Sequence, residues 1–254
     1  MRCFWAMMKL NMRHRLRDGF AVGYNIFFPI LMIGILGVLS MHFPHGSISS
    51  YAYYTVVTIP FCIVMAIITA AYACKDDAYA DTAERVLLSP VSVSVIVAVK
   101  VLSCTLTIFV CSILTYTGAA IITGIGVQGI WKIALLFLSL CYATAAAGTW
   151  IGLGMKNFMT IKNVMNVPIS VFAICGGVFF PLGTFHKVGE IILCSSPFTW
   201  INRSIFLLLY DKQQDLLMCV SVICVCLGMI CSIGAIKTFQ KGEYCNGSLP
   251  GYEK

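Results

Sequence analysis

Six stretches of this chain run apolar for close to the 20 or so residues that a helix needs to cross roughly 30 Å of hydrocarbon. They lie near positions 20–40, 51–73, 93–122, 132–155, 164–185 and 215–236 of the 254 residues. Lipid leaves no partner for a free backbone amide or carbonyl, so stretches of this kind satisfy their own hydrogen bonds as helices. The composition agrees: 59% hydrophobic and 11% charged residues leave too few polar side chains to clothe a soluble globule of this length. The expected fold is an all-α polytopic membrane protein with six transmembrane helices.

The net charge of +7 does not point to nucleic acid, because the basic residues lie at span ends and form no soluble, aromatic-interleaved patch. They report orientation instead. With the N-terminus in the cytoplasm, thirteen of the 17 lysines and arginines fall on the inner side, leaving only Lys132, Lys187, Arg203 and Lys212 outside. Both termini are then cytoplasmic. The first residues are basic and amphipathic, unlike a cleaved secretory signal. Of the 13 cysteines, Cys62, Cys104, Cys111, Cys141, Cys175, Cys219, Cys224, Cys226 and Cys231 fall inside spans without metal-ligand spacing, which predicts small apolar packing residues. His42, His45 and His186 lie outside with no carboxylate or thiol at ligand spacing, so no metal site is expected.

Residues 1–19 form the first of three segments. Met1, Trp5, Met8, Met12 and Leu16 share one helical face and Arg2, Lys9, Arg13 and Arg17 an adjoining one, the pattern of an interfacial helix with its cations near anionic membrane lipid. The six-span domain occupies 20–236. Within it, residues 186–211 hold two apolar pieces broken at Cys194 to Pro197, each too short to span. Ser196 as cap and Pro197 at the first helical position would start a helix of about fourteen residues. This predicts an outer re-entrant helical hairpin. Residues 237–254 read as a polar, disordered cytoplasmic tail.

The segment CKDDAYADTAERVLLSP, residues 74–90, concentrates Lys75, Asp76, Asp77, Asp81, Glu84 and Arg85 between two apolar stretches. Asp81 followed by Glu84 fits a capping box, and a short cytoplasmic helix over 81–88 follows from it. Its apolar edge of Val86, Leu87 and Leu88 suits a groove on another protein. A solvated connector is the plainer reading of the same residues. Lys100, near the inner end of the third span, is expected to snorkel to the interface.

DTAERVLLSPVS, with Thr82, Glu84, Arg85, Leu87, Pro90 and Val91, resembles the cytoplasmic coupling helix of the permease subunits of type 2 ATP-binding-cassette (ABC) exporters. LRDGFAVGYNIFFP is similar to that family's opening, GGVFFPLGTF to the outer end of its fifth span, and SSPFTWINRSI to an element of its re-entrant hairpin. The four occur in family order.

The resemblance implies a plasma-membrane permease of a bacterium, bound to two copies of an ABC ATPase subunit and to a second permease copy or a related one. It implies coupling to the ATPase through Asp81, Thr82, Glu84, Arg85, Leu87 and Leu88. It places a substrate path along Tyr24, Phe27, Phe28, Tyr53, Tyr54 and Phe172, and an outer gate at Gly176, Gly177, Phe179, Phe180 and Pro181. Small-residue helix packing is the alternative role for the two glycines. The chain has no phosphate-binding loop, so no cofactor is expected on it, and ATP with Mg belongs to the partner. The implied activity is export of an amphipathic substrate, a drug, antimicrobial peptide or lipid-like molecule, as in multidrug efflux; export of a lipid-linked polysaccharide is the rival. An intramembrane enzyme is disfavoured because all four histidines lie at or outside span ends. A channel would need polar rings at mid-membrane.

Overall fold

Asp18 ends one helix and begins the next. Its amide donates to the His14 carbonyl while its carboxylate accepts from the amides of Phe20 and Ala21 at 3.0 and 3.1 Å. A surface helix, α1 (Arg2–Arg17), is thereby turned into a span, α2 (Gly19–Leu39). The computed structural model describes residues 2–40, 49–80, 82–89, 91–125, 129–155, 158–179 and 195–245.

The second span, Ser50–Tyr79, is built from α3 (Ser50–Met65), α4 (Ile67–Ala73) and α5 (Asp76–Tyr79). The break between α3 and α4 falls at Ala66, whose amide is shared between the carbonyls of Cys62 and Ile63 in a tightened turn. A short helix, α6 (Ala83–Leu88), precedes the long α7 (Val93–Thr123). Then come α8 (Ile130–Gly154), α9 (Phe158–Cys175), α10 (Pro197–Tyr210), α11 (Asp215–Lys237) and α12 (Lys241–Cys245). The described residues are all-helical, with five helical segments long and apolar enough to cross a membrane.

The stretch expected as the fifth span corresponds to α9, whose apolar run Asn163–Cys175 falls short of a span by itself. The rest of that stretch, and the first limb of the expected hairpin, lie outside the described residues. The second limb is α10, fourteen residues long, with Pro197 in its first turn and Ser196 as cap.

At the centre of the bundle, α8 packs against α3, α4, α7 and α11. Small residues let the backbones approach, which matters in lipid, where burying apolar surface between helices yields little. A Cβ on Gly148 would lie 2.6 Å from Ala70 Cβ and 2.7 Å from the Ile67 carbonyl, and one on Gly152 2.7 Å from the Ala71 carbonyl. Cys62, Cys74, Cys104, Cys111, Cys141 and Cys224 are buried packing residues; Cys219 and Cys226, expected to pack, are exposed on α11.

Two expectations are corrected at the end of the bundle that holds residues 75–79. The tail does not begin at residue 237 as a disordered strand of polar residues: α12 is helical and Tyr244 is fully buried, packed tilted against Phe239. Lys100 does not snorkel; it is 1% exposed. Residues 2–17 do form a helix, α1, which leaves Trp5, Leu16, Lys9, Arg13 and Arg17 exposed and buries Asn11 and Arg15 against the bundle.

Candidate functional site

Asp77, in the single turn of α5, is the junction of the inner end. Its Oδ2 accepts from Lys100 Nζ of α7 at 2.7 Å and from the Tyr244 hydroxyl of α12 at 2.6 Å. Its backbone carbonyl accepts from both the amide and the hydroxyl of Thr82, at 2.9 and 3.1 Å. Lys100 Nζ also donates to the Ala73 carbonyl at 3.1 Å. Next door, Asp76 pairs with Arg15 of α1, which approaches Asp18 as well at 3.8 Å. Lys75 is buried beside them. Charges this deep are retained only when paired and hydrogen-bonded, and here each of the two carboxylates has its cation. Burial, and then the Asp77 carboxylate that accepts its hydrogen bond, push the Tyr244 phenol well above its ordinary range.

The charged segment therefore divides in two. Residues 75–77 turn inward and tie α1, the second span, α7 and α12 together. Residues 83–88 form α6 and turn outward: Glu84 and Arg85 are exposed and Leu88 is 87% exposed. Leu87 and Val86 rest instead on the core beneath, with Ala83 buried under them. The helix begins at Ala83, two residues later than expected. Thr82 holds the cap position without capping, because its hydroxyl is committed to Asp77; Asp81 and Pro90 lie outside the described residues.

Of the aromatic residues proposed along a path, the structure unites some and separates others. Tyr24 stacks on Phe28 at 5.1 Å with rings 8° apart, and Phe28 joins the cluster that contains Tyr53 and Phe179. Tyr54, 1% exposed, meets Tyr53 edge-on. Phe27 points away, 73% exposed on α2. Phe172 opens on a different face, into an apolar cavity of about 450 Å³ among α4, α8, α9, α10 and α11.

At the C-terminal end of α9, Gly177 adopts the left-handed conformation (φ 71°) that ends the helix, and Gly176 lies so close to α10 that a Cβ would sit 2.7 Å from Phe198 Cβ. The hydroxyls of Tyr53 and Tyr54 donate to the carbonyls of Gly177 and Phe179 at 3.0 and 3.2 Å, so the second span holds the end of α9. Phe180 and Pro181 lie outside the described residues. Among the described residues no group of three or more His, Cys, Asp or Glu side chains is arranged to hold a metal ion.

A family model described as ABC-2 type transporter matches residues 2–210, a stretch that includes α1, the inner charge junction, α6 and α10. The chain belongs to that family. It is the permease subunit of a type 2 ABC transporter, a transport component whose ATPase resides in a separate subunit. A search of curated proteins found no match.

For this permease, sequence reasoning located α6 and α10 but missed the junction. The missed residues are Arg15, Asp76, Asp77, Lys100 and Tyr244. One signal was present: Lys100 stands about two turns inside an apolar run, and an ionisable side chain at that depth calls for a partner, which the Asp pair at the end of the preceding span supplies.

Proposed function

We propose that the permease exports an amphipathic substrate from the cytoplasm across the plasma membrane, driven by an ATPase dimer that grips α6. The supporting observation is the position of α6 itself. Its outer surface of Glu84, Arg85 and Leu88 is free, while its root at Thr82 is bonded to the same aspartate that holds Lys100 of α7. A push on α6 is therefore delivered to the third span and to α1 together. The lever works only if the two ATPase states bind the two permease states with different affinities, and the exposed residues of α6 are where that difference is exchanged.

Two ATPase copies with ATP and Mg, and a second permease, complete the transporter in this reading. A cytoplasmic position for α1 and α12 is supported by their meeting at the same junction as α6. Displacement of the second span reaches the outer gate at Gly177 and Phe179, beside Gly176, through the Tyr53 and Tyr54 hydroxyls, at the opposite end of that span from the push. Tyr24, Phe28 and Tyr53 offer flat apolar surface, and the two tyrosines add a polar tip, which suits a drug, a peptide or a lipid-like molecule.

The test is capture of the ATPase on tagged permease, followed by a screen for compounds that raise its hydrolysis rate in proteoliposomes. Recovery of an ABC ATPase whose activity rises with an amphiphile is expected. A permease that recruits no ATPase, or that moves solute in response to ATP alone, would refute the reading.

A further inference from the structure

Along α10, Phe198, Asn202 and Phe206 recur at every fourth residue and make one stripe. Both rings rest on α3, Phe198 against Phe61 with centroids 5.9 Å apart and Phe206 against Tyr53 at 5.6 Å. Tyr53 and Phe61 bracket Val57, which is 1% exposed. By register, Asn202 falls at the Val57 level of α3, between two aromatic contacts. It is 5% exposed, and neither Nδ2 nor Oδ1 has a hydrogen-bond partner. The hydroxyls of Thr58, beside Val57, and of Thr199, one turn earlier on α10, are buried and unpartnered as well.

A carboxamide carries two donors and two acceptor lone pairs, and burying it unmade opposes the packed state. Leucine would seal the same seam without that opposition. Thr58 and Thr199, on the same two helices, carry further buried hydroxyls without a partner, and Arg203, next in sequence, is exposed, so the polar group held in the seam is uncharged. Such a seam is poised to part.

We infer that the α3–α10 seam opens during the transport cycle and that Asn202 then hydrogen-bonds a neutral polar group of the cargo, a hydroxyl or amide, while the four surrounding rings take its apolar part. This rests on the transporter reading above and narrows it to uncharged amphiphiles.

The experiment uses the permease in lipid nanodiscs and two probes of equal chain length, neutral decanoyl-N-methylglucamide and cationic decyltrimethylammonium. Asn202→Leu is expected to raise the thermal midpoint, to weaken binding of the neutral probe about tenfold, the weight of one hydrogen bond, and to leave the cationic probe unaffected. Asn202→Gln is expected to restore neutral-probe binding. A lowered midpoint or failure of Asn202→Leu to fold overturns the inference, since either means the amide already supports the closed seam. A raised midpoint with unchanged neutral-probe binding overturns it too, leaving a gate wetted by water only. Both readouts need the permease alone, so failure to recruit an ATPase is a separate result that strikes only the transport reading.

Discussion

Lys100 Nζ lies 2.7 Å from Asp77 Oδ2, so the third span is tied by a buried ion pair to the end of the second. Removing Lys100 leaves a largely buried carboxylate, 17% exposed, without its cation, at a cost of up to about 3–5 kcal/mol. Lys100→Met should lower the thermal midpoint of the purified permease markedly. Adding Asp77→Asn to it should recover most of the loss. Equal losses in the single and double variants would contradict the pairing.

Tyr244 predicts a pH dependence with a definite sign. Its phenol is held above its ordinary value when docked, so docking of α12 has its full stability below the free phenol's pKa of about 10 and loses it as pH climbs past that point. Protection of residues 241–245 in hydrogen exchange, corrected for intrinsic rate, should be flat from neutral pH to about 9 and fall above about 10. Tyr244→Phe should show weaker protection throughout and no such fall. A decline beginning near neutral pH would assign the effect elsewhere.

One glycine of α8 and one of α7 separate close approach from mere presence. Gly148→Ala forces a methyl group against Ala70 and the Ile67 carbonyl, and overpacking of this kind costs about 1–3 kcal/mol. Gly118→Ala in α7 meets nothing within 4 Å and should be neutral or stabilising by about 0.5–1 kcal/mol through helix propensity. Thermal melts of the two variants in one detergent make the comparison; similar shifts would refute it.

Leu87 and Leu88 are adjacent and should behave differently. Leu88→Asp changes a side chain that is 87% exposed, so the permease should keep its stability within about 0.5 kcal/mol while losing ATPase capture. Leu87→Asp should destabilise the permease itself, since Leu87 packs on the inner core. Full ATPase capture by Leu88→Asp would remove α6 from the docking surface.

Much of the architecture was legible because hydrophobic length is a local property. The spans over α2, α3 to α4, α7, α8 and α11 could be placed from runs of apolar residues alone, and Ser196 with Pro197 announced α10. The charged segment at 74–90 was legible only as a concentration of charge. Nothing local separates Asp77, whose partners are Lys100 and Tyr244, from Glu84, which faces outward. Tyr244 stands 167 residues from the aspartate it binds, in a stretch whose composition reads as disordered.

The order of the spans and the presence of a short polar helix between the second and third were determined by the chain's own pattern of apolar and polar residues, because lipid imposes one rule on every segment independently. Which charges are buried, which leucine of α6 stands clear and which amide is left without a partner were decided only when the helices came together. Those outcomes depend on distances between residues far apart in sequence, and a pattern read along one dimension does not contain them.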